Sequence, residues 1–348
     1  MSIPFSSGKP GRSCGSLDPQ KGEEQMKLFD SFHRRINYLR ISVTDRCNLR
    51  CIYCMPPQGI PLIPRSELLS YEEILTVVQA SAELGINKIR LTGGEPLVRT
   101  ELPKLIRMLA QIEGIEEISL TTNGTLLKKY AIELKEAGLR RVNVSLDTFR
   151  ADRFCCITRR GELKDALEGI EAAKEAGLYP VKINMVVMRG INDDEVLDFA
   201  NMTYKEGWCV RFIELMPFSS GLAEFVPSSE LRQRIRSLGT LEPCSRPLGN
   251  GPAGYYRLSG AKGTIGFISP ITEPFCSSCN RIRLTSHGQL CPCLLSDDGI
   301  DLKRPLRNNA LAQEVKRLIL KAVASKPERH HMADGVMPAK QNMSQIGG

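Results

Sequence analysis

Between residues 36 and 216, short β-branched runs alternate with amphipathic stretches of helical length. The pattern predicts strands at 38–43, 87–92, 116–121, 141–146, 181–187 and 209–215, with helices at 71–84, 101–112, 126–137, 161–176 and 193–206. Four of the helical stretches close on a glycine (Gly85, Gly138, Gly177, Gly207), the residue that takes a left-handed cap without steric cost. Regular alternation of this kind implies a parallel sheet with right-handed crossovers. Six strand–helix units fall two short of a full eightfold barrel. The expected architecture is therefore α/β, an open partial (βα)6 barrel of the TIM type, with a flat doubly wound sheet as the second choice. In both, the working face lies at the carboxyl ends of the strands.

After Pro217 the texture changes to short β-like pieces with frequent Gly and Pro up to about 302, followed by a basic amphipathic helix at 309–324. These shifts divide the chain into a disordered extension at 1–25, the partial barrel at 26–217, a C-terminal region at 218–325 and a polar tail at 326–348 ending in Gly-Gly. No internal repeat is visible.

Composition narrows the class without choosing within it. With 348 residues, 42% hydrophobic and 25% charged, the chain is neither fibrous nor globally disordered. It contains no apolar run near the roughly 18 residues that span a bilayer, and its first 25 residues lack the apolar core of a signal peptide. A cytoplasmic, membrane-independent protein is expected. The net charge of +8 suits an anionic ligand, and the 6% aromatic content speaks against a stacking platform for single-stranded nucleic acid. The cysteines say more. Six of the twelve fall in two tight groups, Cys47, Cys51, Cys54 and Cys276, Cys279, Cys293, which reads as metal ligation in a reducing compartment. Cys14, Cys155, Cys156, Cys209 and Cys244 fit no ligand spacing and read as ordinary thiols.

The first group, Cys47–Cys51–Cys54, has the spacing CxxxCxxC directly after the first predicted strand. Three thiolates can hold three irons of a four-iron cluster and leave the fourth iron open for chemistry. The alternative is zinc, but structural zinc takes four protein ligands and no further Cys or His lies close. Gly93-Gly94-Glu95-Pro96 follows the second strand, where two glycines would let the backbone approach a ligand closely. Together these motifs resemble the radical S-adenosylmethionine enzymes. That resemblance implies an iron–sulfur cluster on Cys47, Cys51 and Cys54 that binds and cleaves S-adenosylmethionine, with Tyr53 placed near its adenine.

The second group gives CxxC, thirteen residues, then C, with Cys291 as a possible substitute for Cys293. Arg281 and Arg283 alternate on a predicted strand, so both point to one face beside the thiolates, where two guanidinium groups suit a polyanion. A zinc knuckle with solvated arginines is the bland alternative. Both cysteine groups together, with the stretches at 36–46, 181–184 and 211–217 and the terminal Gly347-Gly348, resemble one family within that superfamily: the GTP 3′,8-cyclases of molybdenum cofactor biosynthesis. The resemblance covers about residues 26–348.

It implies two [4Fe-4S] clusters, the second on Cys276, Cys279 and Cys293. It also implies GTP contacts from Arg40, Arg90, Thr121, Lys182, Arg281, Ile282 and Arg283, and S-adenosylmethionine contacts from Tyr53, Gly94, Ser145 and Met216. Gly347 and Gly348 would act inside the active site. The expected partners are GTP, a reductase or a flavodoxin- or ferredoxin-type electron donor, and a cyclic pyranopterin monophosphate synthase that takes the product. No nucleic acid or membrane partner is expected, and the chain would be a monomer or homodimer. A radical enzyme modifying a peptide and a non-catalytic zinc protein binding nucleic acid are the competing classes. Residues 218–262 match the family poorly and are expected to supply no site residue, the GxGxxG at 249–254 reads as a loop, and His330 and His331 read as solvated.

Overall fold

Strand β1 (Tyr38–Ser42) lies between β2 (Lys88–Thr92) and a strand from the far end of the chain, β10 (Arg281–Leu284), parallel to both. The computed structural model describes residues 27–216, 224–245, 251–296 and 298–330. From β2 the parallel ladder continues through β3 (Glu117–Thr122), β4 (Arg141–Ser145), β5 (Lys182–Val187) and β6 (Cys209–Glu214). It then reaches β9 (Thr264–Ile268), also parallel. The helices between these strands are α1 (Tyr71–Glu83), α2 (Leu102–Ala110), α3 (Leu127–Glu136), α4 (Ala151–Thr158), α5 (Leu163–Glu175) and α6 (Val196–Lys205). After β6 come α7 (Ser228–Ile235), β7 (Leu241–Pro243) and β8 (Gly254–Leu258), and after β10 come β11 (Gln289–Cys291), β12 (Ile300–Asp301), α8 (Lys303–Arg307) and α9 (Ala312–Ala324).

The six predicted strands are present, and the sheet remains open, running β12-β11-β10-β1-β2-β3-β4-β5-β6-β9-β8-β7 among the described residues. Sequence alternation alone does not show that the C-terminal region extends both edges of the barrel. Antiparallel β7 and β8 continue from β9, and antiparallel β11 and β12 continue from β10. Residues 269–280 therefore run from one edge of the parallel strands to the other, and they carry Cys276 and Cys279.

The strands show why the chain curls around a polar interior. Ile89 and Leu91, Ile118 and Leu120, Val142 and Val144, and Val210 and Phe212 are buried in one continuous apolar core. The residues between them along each strand are polar or charged: Arg90, Ser119, Asn143 and Arg211 are all buried. Strands covered on both faces usually read as continuous apolar runs. Here one face packs on helices and the other faces a lumen built to hold something polar.

Local signals agree with the elements. Helix α1 opens with a capping box, the Ser70 hydroxyl accepting from the Glu73 N–H while the Glu73 carboxylate accepts from the Ser70 N–H. Helix α4 is an addition: no helix is predicted between 146 and 161, and it lies beside the first cysteine loop.

Candidate active site

A cavity of about 300 Å³ occupies the lumen and is bordered by all six grouped cysteines. Tyr53, Gly94, Ser145, Met216, Arg40, Arg90, Thr121, Arg281 and Arg283 also line it. Lys182 is buried but is not among the residues that line it, its Nζ lying 3.5 Å from the Tyr255 hydroxyl. Ile282 departs from its expected place: between two lumen-facing arginines on β10, its side chain turns into the apolar core, so any substrate contact from it is limited to main chain. Gly347 and Gly348 lie outside the described residues, as do Cys14, His331 and residues 1–26.

The first cysteine loop follows the end of β1 at Ser42 and is held from two sides. Gly93 and Gly94 press against its start: a Cβ on Gly94 would lie 2.2 Å from the Arg46 carbonyl, and one on Gly93 2.5 Å from that of Thr44. The Gly94 and Glu95 N–H groups donate to the carbonyls of Thr44 (2.8 Å) and Arg46 (2.8 Å). The glycines are thus required first for docking on the loop backbone, a different close approach from the one to a ligand that the sequence suggests. On the other side, the Arg50 and Ile52 N–H groups donate to the last carbonyls of α4, those of Thr158 and Ile157, both at 2.9 Å. Arg159 reaches back with Nη1 to the carbonyls of Arg50 (3.1 Å) and Met55 (3.0 Å).

Two buried carboxyls complete this end. Glu95 accepts from the N–H groups of Leu97 and Asn123 and from the Thr122 hydroxyl, and burial still lifts it to about 7. Asp147, lifted by burial to about 6, accepts from the Tyr53 hydroxyl (2.8 Å) and the Val186 N–H (2.9 Å). Burial also pushes the Cys47 thiol up to about 11 and that of Cys51 well above its ordinary value.

The second cysteine group sits in a different field. Burial works to raise the Cys279 thiol, but the charges of Arg281 and Lys326 outweigh it and bring the thiol down to about 7. Arg34, buried and paired with Asp30 (2.6 Å), donates to the Cys276 carbonyl (2.8 Å) and to the carbonyls of Pro327 and Glu328. Cys293 lines the cavity, whereas Cys291 is a buried β11 residue.

The donor sets fit clusters. Each group supplies three free thiols facing one cavity, and among the described residues no three His, Cys, Asp or Glu side chains are placed to hold a single metal ion. A cluster gives each thiolate its own iron, so the sulfurs need not converge on one point.

Between the cysteine groups the wall is cationic. Arg40 and Arg90 are register partners, as are Arg40 and Arg283. Burial, then Arg283, presses Arg40 well below its ordinary value; burial, together with Arg141 and Arg40, brings Arg90 to about 9. Arg283 falls to about 10 through burial and Arg281, and Lys182 to about 7 through burial and Arg211. Guanidinium groups stay charged, so the wall concentrates buried positive charge on one lumen. Arg211 adds to the wall, with Nε and Nη2 buried and unpaired. The Asn184 side-chain oxygen, also lining the cavity, is likewise buried without a partner.

Several of these residues escape the sequence. Arg211 and Asn184 show the same alternation as the matched positions, and that signal could have found them. Gly251 and Pro252 line the cavity, correcting the expectation that 218–262 contributes nothing. His330 is not solvated: it lines the cavity, and its Nε2 lies 2.9 Å from the Pro270 carbonyl.

The chain matches the family profile of the Radical SAM superfamily over residues 41–203 and that of Molybdenum Cofactor Synthesis C over 208–332. It is 55% identical over 324 residues to the GTP 3′,8-cyclase of Pelotomaculum thermopropionicum, spanning 92% of this chain and 99% of that one. It is 52% identical over 322 residues to the GTP 3′,8-cyclase of Moorella thermoacetica, with 92% and 99% spanned. Among solved structures, that of Streptococcus suis SuiB bound to S-adenosylmethionine superposes with a TM-score of 0.56 at 13% identity, covering 81% of this chain and 68% of that one, a likeness of fold.

Proposed function

The chain belongs to the GTP 3′,8-cyclase family of the radical S-adenosylmethionine enzymes, and we propose that it converts GTP to (8S)-3′,8-cyclo-7,8-dihydroguanosine 5′-triphosphate, the first step of molybdenum cofactor biosynthesis. The observation that carries this reading is a single lumen bordered by two thiol triads and walled by buried cations. A triphosphate brings about four negative charges to that wall and relieves its mutual repulsion.

When bound, the two [4Fe-4S] clusters and S-adenosylmethionine supply the electron and the 5′-deoxyadenosyl radical that takes hydrogen from C3′ of GTP. The chain supplies position and charge. Arg40, Arg90, Lys182, Arg281 and Arg283 hold the polyphosphate, with Arg211 added to the set, and Thr121 offers a hydroxyl from β3. Tyr53, fixed by Asp147, and Gly94, Ser145 and Met216 border the S-adenosylmethionine end. Holding two ligands in fixed contact in a lumen shielded from water accounts for most of what a protein adds to radical chemistry. Gly347 and Gly348, which lie outside the described residues, are required for turnover in this reading.

Residues 26–217 form the catalytic barrel in this reading, and 218–325 supply the second cluster and close the substrate side. An electron donor of the flavodoxin, ferredoxin or reductase type feeds the first cluster, a cyclic pyranopterin monophosphate synthase takes the product, and the chain works as a monomer or homodimer in a reducing compartment. Among the described residues no helix is long and apolar enough to cross a membrane. The test is anaerobic reconstitution: about eight irons per chain and a GTP-dependent product with the mass of GTP support the reading. Zinc in place of iron, or modification of a peptide but not of GTP, overturns it.

A further inference from the structure

Lys326 follows α9, and 3% of its surface is exposed. Its Nζ donates to the carbonyl of Pro292, next to Cys293, at 2.7 Å, and to that of Arg281, two residues after Cys279, at 2.9 Å. The same ammonium borders the cavity that Cys279 and Cys293 line. One buried charge, from a residue more than thirty positions further along the chain, thus ties together the two segments that carry Cys279 and Cys293. Arg34 ties Cys276 to the next two residues, Pro327 and Glu328, so residues 326–328 are a hub to which all three thiol-bearing segments attach. A buried ammonium needs such partners, because a charge taken out of water without them is strongly disfavoured.

We infer that Lys326 is the positioning residue of the second cysteine site: its ammonium sets the spacing of the Cys279 and Cys293 segments and places a fixed positive charge against the group they hold. The inference rests on the reading that Cys276, Cys279 and Cys293 carry a cluster. A positive charge beside a cluster favours its reduced, more negative form, and hydrogen bonds to the sulfurs act in the same direction.

The experiment uses the full chain with Cys47, Cys51 and Cys54 replaced by Ser, so that only the second cluster is read, in Lys326, Lys326→Met and Lys326→Arg forms. Methionine keeps the length of the stem and removes the charge. The Met form should hold its cluster at a lower midpoint potential, by about the 59 mV that a tenfold change in a one-electron equilibrium represents, with an altered electron paramagnetic resonance signal. The Arg form should return the potential towards that of Lys326.

Loss of the cluster from the Met form alone, with native circular dichroism, also supports the assignment. An unchanged potential and signal in the Met form overturns it. So does failure of both variants to fold, which would make Lys326 a general support of the core. If the Lys326 form itself takes up no iron, the cluster reading of the three cysteines fails instead, and the two failures are distinguishable.

Discussion

Arg40 on β1 and Arg283 on β10 are register partners on neighbouring parallel strands, and both face the same lumen. Like charges placed side by side on a sheet repel, and burial makes the repulsion stronger. The chain tolerates this conflict at the place where an anion would resolve it. Arg283→Met should therefore lower GTP affinity by about 1–3 kcal/mol, the range of a charged hydrogen bond. It should leave the Tm of the GTP-free chain equal or higher. Calorimetry with and without GTP checks both; a lower Tm with unchanged GTP affinity would make Arg283 a structural residue.

Arg159 holds the first cysteine loop from outside, through the carbonyls of Arg50 and Met55. Arg159→Ala should cost about 1–3 kcal/mol of stability, since both bonds are charge-assisted. The loss should be confined to the first site. The rate at which a chelator strips iron measures this: about half of the iron should leave faster than from the parent chain, and the other half at the parent rate.

Lys182 gives the site a pH dependence. Burial, then Arg211, holds its ammonium near 7 in the GTP-free chain, and an adjacent polyanion raises it. GTP affinity should be full below about pH 7 and fall as the pH rises above it, by up to tenfold per unit while one proton is taken up on binding. The stability of the GTP-free chain has the opposite sign: a folded value below the ordinary 10.5 makes the Lys182 contribution improve between about pH 7 and that value. Titrations from pH 6.5 to 8.5 should show the slope in the parent chain and a flat profile in Lys182→Met.

The tail makes a separable prediction. Deleting Gly347 and Gly348 should leave iron content and S-adenosylmethionine affinity intact while stopping GTP-dependent turnover. Full turnover by the truncated chain would make the dipeptide a bystander.

Much of the architecture can be read from residues alone because lumen and helix-facing positions alternate. Arg90 between Ile89 and Leu91, or Asn143 between Val142 and Val144, marks both a strand and its polar face. Both cysteine groups were legible from spacing. Helix α4 was not, because it is eight residues long and Arg150 at its N-cap supplies no side-chain hydrogen bond to mark its start. The joining of β9 to β6 and of β10 to β1 depends on pairing between distant segments, which no local pattern encodes. His330 looks solvated beside Arg329 and His331; only its approach to the Pro270 carbonyl reveals its place in the wall.

The central claim is that this lumen brings C3′ of GTP to the radical that abstracts its hydrogen. Anaerobic turnover with GTP carrying deuterium at C3′, followed by mass analysis of the 5′-deoxyadenosine formed, tests it most directly. One deuterium in the 5′-deoxyadenosine, appearing with the cyclised product, is the predicted result. 5′-Deoxyadenosine that forms without deuterium, at a rate independent of GTP, would contradict it.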